Sequence, residues 1–376
     1  MYRPFRQFHI LSILEAYDQQ SLPLDLFMRD YFRIHKALGS KDRGYVAETT
    51  YALVRWKGLL DYLCSDTADW ESRLDLFLEP SFDDAKFRKD IPDHVRLSFP
   101  KDLFDLIVSS HGLQKACEIC AISNHPAPTT VRINTMKTTR EEMLKRWTGI
   151  YEVIPCSISP NGIVFQRRIN FSVMPEFREG LFEVQDEGSQ LLAALVKAKP
   201  GDLVMDYCAG SGGKTLAFAP QMQNKGQIYL HDVRKHVLQD SKKRLRRAGI
   251  QNAQIVHAEE VKLKKLKKNM DWMLVDAPCT GTGTLRRNPD MKWKFERSMA
   301  QSVQGQQRTI FEKALSYLKP DGHIVYSTCS ILKEENDDQI AHFMKTYDLT
   351  MVGEVFGSLP IANGMDGFYG AVLRKK

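Results

Sequence analysis

The chain has 376 residues, 43% of them apolar, and a formal net charge of +7. That length exceeds a typical single domain and predicts two or three, each able to bury a core. No apolar run approaches membrane-spanning length, and the N-terminus has no signal-type apolar stretch with a small-residue cleavage site, so the sequence predicts a cytoplasmic protein with no membrane partner.

The elements follow in chain order. Residues 5–75 carry apolar positions at helical spacing: Phe8, Leu11, Ile13, Leu14 and Tyr17, then Leu24, Phe27, Tyr31 and Phe32, then Tyr45, Thr49, Leu53, Trp56 and Leu60. Pro80, Pro92 and Pro100 punctuate a charged connection. A helix is predicted over 103–123, a strand at Thr130–Ile133, and a second helix opened by the capping pattern Thr139-Arg140-Glu141-Glu142. Short strands near Ile154 and at Ile163–Phe165 complete a small α+β unit. From residue 180 onward the rhythm is β then α, with strands predicted at 203–208, 227–231, 254–258, 271–275 and 322–327. Two late strands are predicted near 350–355 and 367–373. Such alternation predicts an α/β doubly wound sheet. The domains expected are 1–95, 96–178 and 179–376.

The seven cysteines are odd in number and dispersed, unlike a secreted disulfide framework. Cys117-Glu118-Ile119-Cys120 lacks a second pair and reads as ordinary thiols, so no metal site is predicted. The basic excess crowds into 234–247 and 262–268. Solvated faces and phosphate binding are both compatible with those runs.

The chemistry gathers at predicted strand ends. The first strand of the regular region runs into Cys208-Ala209-Gly210-Ser211-Gly212-Gly213-Lys214-Thr215. A glycine-rich turn between strand and helix lets backbone amides approach a ligand closely. A P-loop needs glycine where Cys208 stands, and the dinucleotide fingerprint needs glycine or alanine where Thr215 stands. What remains is the looser turn of a nucleoside-binding fold, as used for S-adenosylmethionine. Asp232 ends the second strand, 22 residues after Gly210, where a carboxylate can accept from ribose hydroxyls. Glu259 and Glu260 end the third, near an adenine edge. Cys279 follows the fourth strand in Asp276-Ala277-Pro278-Cys279, and Cys329 follows the next in Ser327-Thr328-Cys329-Ser330. Two thiols at ligand-facing strand ends, one with a carboxylate beside it, suggest covalent chemistry.

The run Asp276 to Gly283, with Arg286-Arg287-Asn288-Pro289-Asp290 and Lys292-Trp293, resembles the RNA cytosine-5 methyltransferases of the RsmB/Sun branch of the NSUN family. So do the glycine turn, Tyr326–Ser330, the lead-in Phe182–Gln190 and the closing Asp366-Gly367-Phe368-Tyr369. Lys41-Asp42-Arg43 and Leu53-Val54-Arg55 resemble the NusB-like helical domain of that branch. The resemblance implies a Rossmann-like methyltransferase sheet preceded by an all-α NusB-like domain and a small α+β domain, acting as a monomer. It implies S-adenosylmethionine as cofactor and methylation of carbon 5 of a cytosine, in ribosomal RNA of the 16S type. By it, Cys329 adds to carbon 6, Cys279 assists elimination, Asp276 binds the base edge, and Lys214 holds the base or tunes Asp276. Cys208 through Lys214, Asp232, Glu259 and Asp276 would hold the cofactor. The family commonly has proline where Ser211 stands and aspartate where Glu259 stands, and Glu260 competes with Glu259. The target must be single-stranded or flipped, since a base inside a duplex is unreachable. Arg286, Arg287, Lys292 and Trp293 are candidates to grip RNA, with packing as the alternative for Trp293. A transfer-RNA methyltransferase and a non-catalytic ribosome assembly factor are the rival readings.

Overall fold

The alternation predicted from residue 203 onward is realised as a mostly parallel sheet in the structure, a computed structural model. It describes residues 3–18, 20, 22–64, 69–167, 169–257 and 261–376. Two compact units divide the chain, one within Met1–Pro126 and Thr284–Arg297, the other Ala127–Gly283 with Ser298–Lys376.

The first unit is helical: α1 (Phe5–Tyr17), α2 (Leu24–Ile34), α3 (Ser40–Cys64), α4 (Trp70–Leu78), α5 (Ser81–Ala85), α6 (Asp93–Arg96), α7 (Lys101–His111) and α8 (Leu113–Ser123). The predicted apolar stripes bury Leu11, Ile13, Leu14, Leu24 and Leu53, whereas Phe8 is exposed. The single helix predicted over 103–123 is two, because Gly112 adopts φ +78° and breaks the ladder.

The second unit begins with a four-stranded antiparallel sheet of order β2-β3-β1-β4, from β1 (Thr129–Ile133), β2 (Val153–Pro155), β3 (Gly162–Phe165) and β4 (Phe182–Val184). Its helices are α9 (Arg140–Trp147) and α10 (Pro175–Arg178). The capping pattern is real: Thr139 accepts from Glu142 N–H, and Glu142 reaches back to Thr139 N–H. Trp147 and Met143 from α9 pack on Val131, Ile133, Phe165 and Phe182.

The remaining elements are α11 (Glu187–Ala193), β5 (Leu203–Asp206), α12 (Gly213–Phe218), β6 (Gln227–Leu230), α13 (Lys235–Ala248), β7 (Ala253–Ile255), α14 (Val261–Lys265), β8 (Met270–Asp276), α15 (Arg297–Leu315), β9 (Leu318–Thr328), α16 (Asp337–Thr346), β10 (Leu349–Met351), β11 (Phe356–Ser358) and β12 (Phe368–Lys375). The sheet order is β10-β12-β9-β8-β5-β6-β7, with β11 beside β12. β5 through β9 run parallel, and β12 is antiparallel to β9. Adjacent residues feed opposite faces. Met205, Met273 and Ile324 join Phe311 of α15 and Phe343 of α16, while Val204, Leu274 and Val325 join Leu216 of α12 and Leu238 of α13. Both faces are therefore covered by helices, as a parallel sheet requires. From β5 the chain winds out through β6 to β7, then returns to the other side of β5 at β8. That reversal opens a crevice at the carboxyl ends of β5 and β8, where such folds take their ligands.

Candidate active site

A cavity of about 1300 Å³ occupies that crevice, lined by the glycine turn, Asp206, Asp232, Asp276, Cys279 and Cys329 among others. Every lining residue lies in the second unit.

The glycine turn enters from β5. Gly210 and Gly212 adopt φ +52° and +79°, and a Cβ on Gly212 would press to 3.1 Å from Ser241. Asp206, at 1% exposure, accepts from Thr215 Oγ1 at 2.7 Å. Its other oxygen, Oδ1, is buried with no protein partner. Burial, opposed by the Thr215 hydroxyl and reinforced by Asp276, pushes this carboxyl up to about 7. Asp232 accepts from Gly210 N–H at 2.9 Å and from the backbone and side chain of Arg234. Burial favours its neutral form, but these hydrogen bonds outweigh it and hold the carboxyl below its usual range.

Ser211 is held from outside. Arg244 donates to its carbonyl at 3.0 Å and its hydroxyl at 2.7 Å, and also to Glu183 of β4. Arg132 of β1 reaches Gln185 Oε1 and Gly213 O, tying the small sheet to the same turn. The basic run 234–247 is thus partly structural, since Arg234, Arg244 and Arg247 are paired with Asp232 or Glu183. Glu259 and Glu260 lie outside the described residues.

Beyond the turn, Lys214 Nζ contacts Asp276 Oδ2 at 2.5 Å, and Ser327 Oγ donates to Asp276 Oδ1 at 3.2 Å. Burial favours a neutral Lys214, but Asp276 outweighs it and raises the ammonium. β8 and β9 are neighbours in parallel register, Asp276 opposite Ser327. Cys279 and Cys329 therefore leave adjacent strand ends, and their sulfurs lie 3.2 Å apart. The hydrogen bond with Cys279 lowers the Cys329 thiol, helped by Lys214, against burial and the charge of Asp276. The same bond, together with burial, drives Cys279 far upward. These shifts favour Cys329 as the sulfur that ionises first, with Cys279 the one that keeps its proton.

A buried polar cluster joins the two cysteine loops. Glu335, fully buried, accepts from Thr280 N–H at 3.0 Å, Thr280 Oγ1, Ser330 Oγ at 2.6 Å and Gln307 Nε2 at 3.0 Å. Gln307 also donates to Pro278 O, and Asn336 to Ser330 O. Gly283 N–H donates to Cys329 O, and a Cβ at Gly283 would fall 2.1 Å from Gly367 O, so only glycine fits there. Glu335→Ala is expected to remove the shared acceptor of four donors, leaving the Thr280 N–H unpaired, and to cost about 3 kcal/mol, read as a lower unfolding temperature. An unfolding temperature unchanged from wild type would refute that account of Glu335.

The sequence reading missed this cluster, because Glu335 and Gln307 look like surface residues of charged helical segments. It also missed Val233, 81% exposed on the cavity wall, whose signal was an apolar residue directly after a strand-end acid. Ser302, Gly305, Gln306 and Thr309 of α15 line the cavity too; their helical spacing reads as a solvent face. One expectation is corrected. Arg286 and Lys292 are buried at 2% exposure, and Trp293 donates to Val54 O at 2.6 Å within the helical unit. Lys292 Nζ donates to Arg55 O and Asn124 Oδ1, and Gly58 would clash with the Trp293 ring if it carried a Cβ. These residues anchor Thr284–Arg297 in the first unit, so neither Arg286 nor Lys292 is available to grip phosphates.

Comparison with known proteins agrees with the fold. Residues 193–374 match the family model described as 16S rRNA methyltransferase RsmB/F, and residues 99–172 match the ferredoxin-like domain of RsmF/B-like methyltransferases. A probable ribosomal RNA small subunit methyltransferase B of Bacillus subtilis is 31% identical over 326 residues, covering 79% of this chain and 70% of the relative. The ribosomal RNA small subunit methyltransferase B of Pasteurella multocida is 34% identical over 277 residues, covering 69% of this chain and 61% of the relative. The crystal structure of PH0851 superposes with a TM-score of 0.83 at 23% identity, over 100% of both chains.

Proposed function

Because this chain belongs to the RsmB/F methyltransferase family, we propose that it methylates carbon 5 of a cytosine in small-subunit ribosomal RNA through a covalent adduct of Cys329. The observation that carries this reading is the Cys279–Cys329 contact of 3.2 Å beside the Lys214–Asp276 pair, all facing one cavity.

S-adenosylmethionine is the cofactor, and bound here it supplies a methyl group on a positively charged sulfur. The residues fit it. The turn Cys208 to Lys214 offers backbone amides on a close-approach surface, and Asp232 offers a carboxylate to ribose hydroxyls. The buried, unpartnered Asp206 Oδ1 fits a donor such as an ammonium. Val233 presents an apolar surface for a purine face.

Carbon 5 of cytosine is a poor nucleophile until a thiolate adds to carbon 6. Cys329, already favoured as thiolate by Cys279 and Lys214, makes that addition. Asp276 holds the base edge and supports protonation of the ring nitrogen as the bond forms, with Lys214 fixing the carboxylate. After methylation, Cys279 assists loss of the carbon 5 proton and release of Cys329. The helical unit and the small four-stranded sheet contribute further RNA-binding surface.

The rate of adduct formation should rise with pH as Cys329 ionises, with a midpoint below the ordinary thiol value. Removing Cys279 removes the largest lowering influence, so in Cys279→Ala the midpoint moves up. Single-turnover rates across pH check this, and a midpoint that stays put or falls would contradict it. The function itself is tested by incubating the chain with small-subunit rRNA and labelled cofactor, then separating nucleosides. Label in 5-methylcytidine is expected. Label in a methylated adenosine or uridine, or on transfer RNA alone, would overturn the reading.

A further inference from the structure

We propose that Cys279 and Cys329 form a reversible disulfide under hydroperoxide, so that the reacting pair doubles as an oxidative off-switch. Three observations carry this. The sulfurs stand 3.2 Å apart, and bond formation at about 2.05 Å needs them to close by only ~1 Å. Both thiols are free, half-buried and on the wall of an open cavity, where a small oxidant can reach them. The loops that carry them are joined by Thr280, Ser330 and Glu335, and by Gly283 N–H donating to Cys329 O, which keeps the sulfurs opposed.

The remaining cysteines are arranged differently. Cys117 and Cys120 sit three residues apart on α8, where Cys120 is buried and burial pushes both thiols up. Cys208 also lines the cavity, but burial, with Asp206 and Asp276 beside it, pushes its thiol far up and keeps it protonated.

The chemistry balances with hydrogen peroxide as oxidant. The Cys329 thiolate attacks one peroxide oxygen, the O–O bond breaks, and the leaving hydroxide takes a proton to become water. Cys329 is then a sulfenic acid. The Cys279 sulfur attacks the Cys329 sulfur, the S–O bond breaks, and the departing hydroxide combines with the Cys279 proton as a second water. Two thiols are oxidised by two electrons, and one peroxide is reduced to two waters. A dithiol reductant reverses the process by exchange. The bond consumes both sulfurs. It also spares Cys329 from the sulfinic stage, from which thiols do not return.

That the disulfide stops methylation rests on the function proposed above; that the bond forms does not. The full chain is treated with hydrogen peroxide, free thiols are alkylated, and the digest is analysed by mass spectrometry alongside methyl transfer before and after dithiothreitol. Expected is a linked Cys279–Cys329 peptide, lighter by two hydrogens than the separate pair, with transfer down roughly tenfold or more and restored by the reductant. In Cys279→Ala, peroxide should take Cys329 to the sulfinic acid, and dithiothreitol should not restore its adduct formation. Activity lost without the linked peptide, or Cys329 linked to Cys208, would overturn the switch. A linked peptide with methyl transfer undiminished would uphold the bond but overturn the reading of this pair as the reacting groups.

Discussion

Replacing Cys279 with alanine is expected to leave the protein attached to its RNA, while replacing Cys329 with alanine abolishes both attachment and methyl transfer. The asymmetry follows from the pair. Cys329 is the sulfur held toward its thiolate, and Cys279 is the sulfur driven toward its thiol. Without Cys329 the site loses the sulfur held toward its thiolate, and methyl transfer should fall roughly 10⁴-fold or more, as removal of a covalent nucleophile does elsewhere. Without Cys279 the addition is slowed by loss of its donated hydrogen bond, yet it still proceeds with Lys214 nearby. Elimination then lacks its assistant, and adduct accumulates. Denaturing gels with labelled RNA separate these cases. Equal loss of adduct in both variants would contradict the division of labour.

The second large effect concerns Asp276. Asp276→Asn keeps the shape and still accepts from Lys214, but it removes the negative charge that keeps this buried ammonium protonated. It also removes the group that supports protonation at the ring nitrogen as Cys329 attacks. The single-turnover rate at saturating cofactor and RNA should drop by about 10²–10⁴-fold, the usual range for a lost acid–base partner. A rate within about threefold of wild type would show that Asp276 only shapes the cavity.

The βα rhythm of the second unit was legible because its strands are buried on both faces and separated by helices with clear apolar stripes. Each predicted strand from 203 onward is present within a few residues. The short β11 gave no signal, since a three-residue strand has no period to read. The α7–α8 break was hidden because a single glycine is tolerated within helices, and only the tertiary fold shows that Gly112 takes positive φ. The cysteines and Asp276 were legible as chemistry because each closes an apolar strand. Their juxtaposition was not, because it depends on β8 and β9 being neighbours in register. Glu335 and Gln307 were invisible, since a buried polar cluster and a solvated face have the same composition. Lys292 looked like an RNA contact for the same reason, and of the two readings open for Trp293 the helical unit shows packing, with Lys292 buried and Trp293 partly so.

The most direct measurement isolates the adduct itself. Cys279→Ala is incubated with S-adenosylmethionine and small-subunit rRNA, digested with nuclease and protease, and the modified peptide is sequenced by mass spectrometry. The account predicts a 5-methylated cytidine attached through Cys329. Attachment through another residue, a uridine or adenosine on the peptide, or methylated RNA released with no adduct at any stage would contradict it.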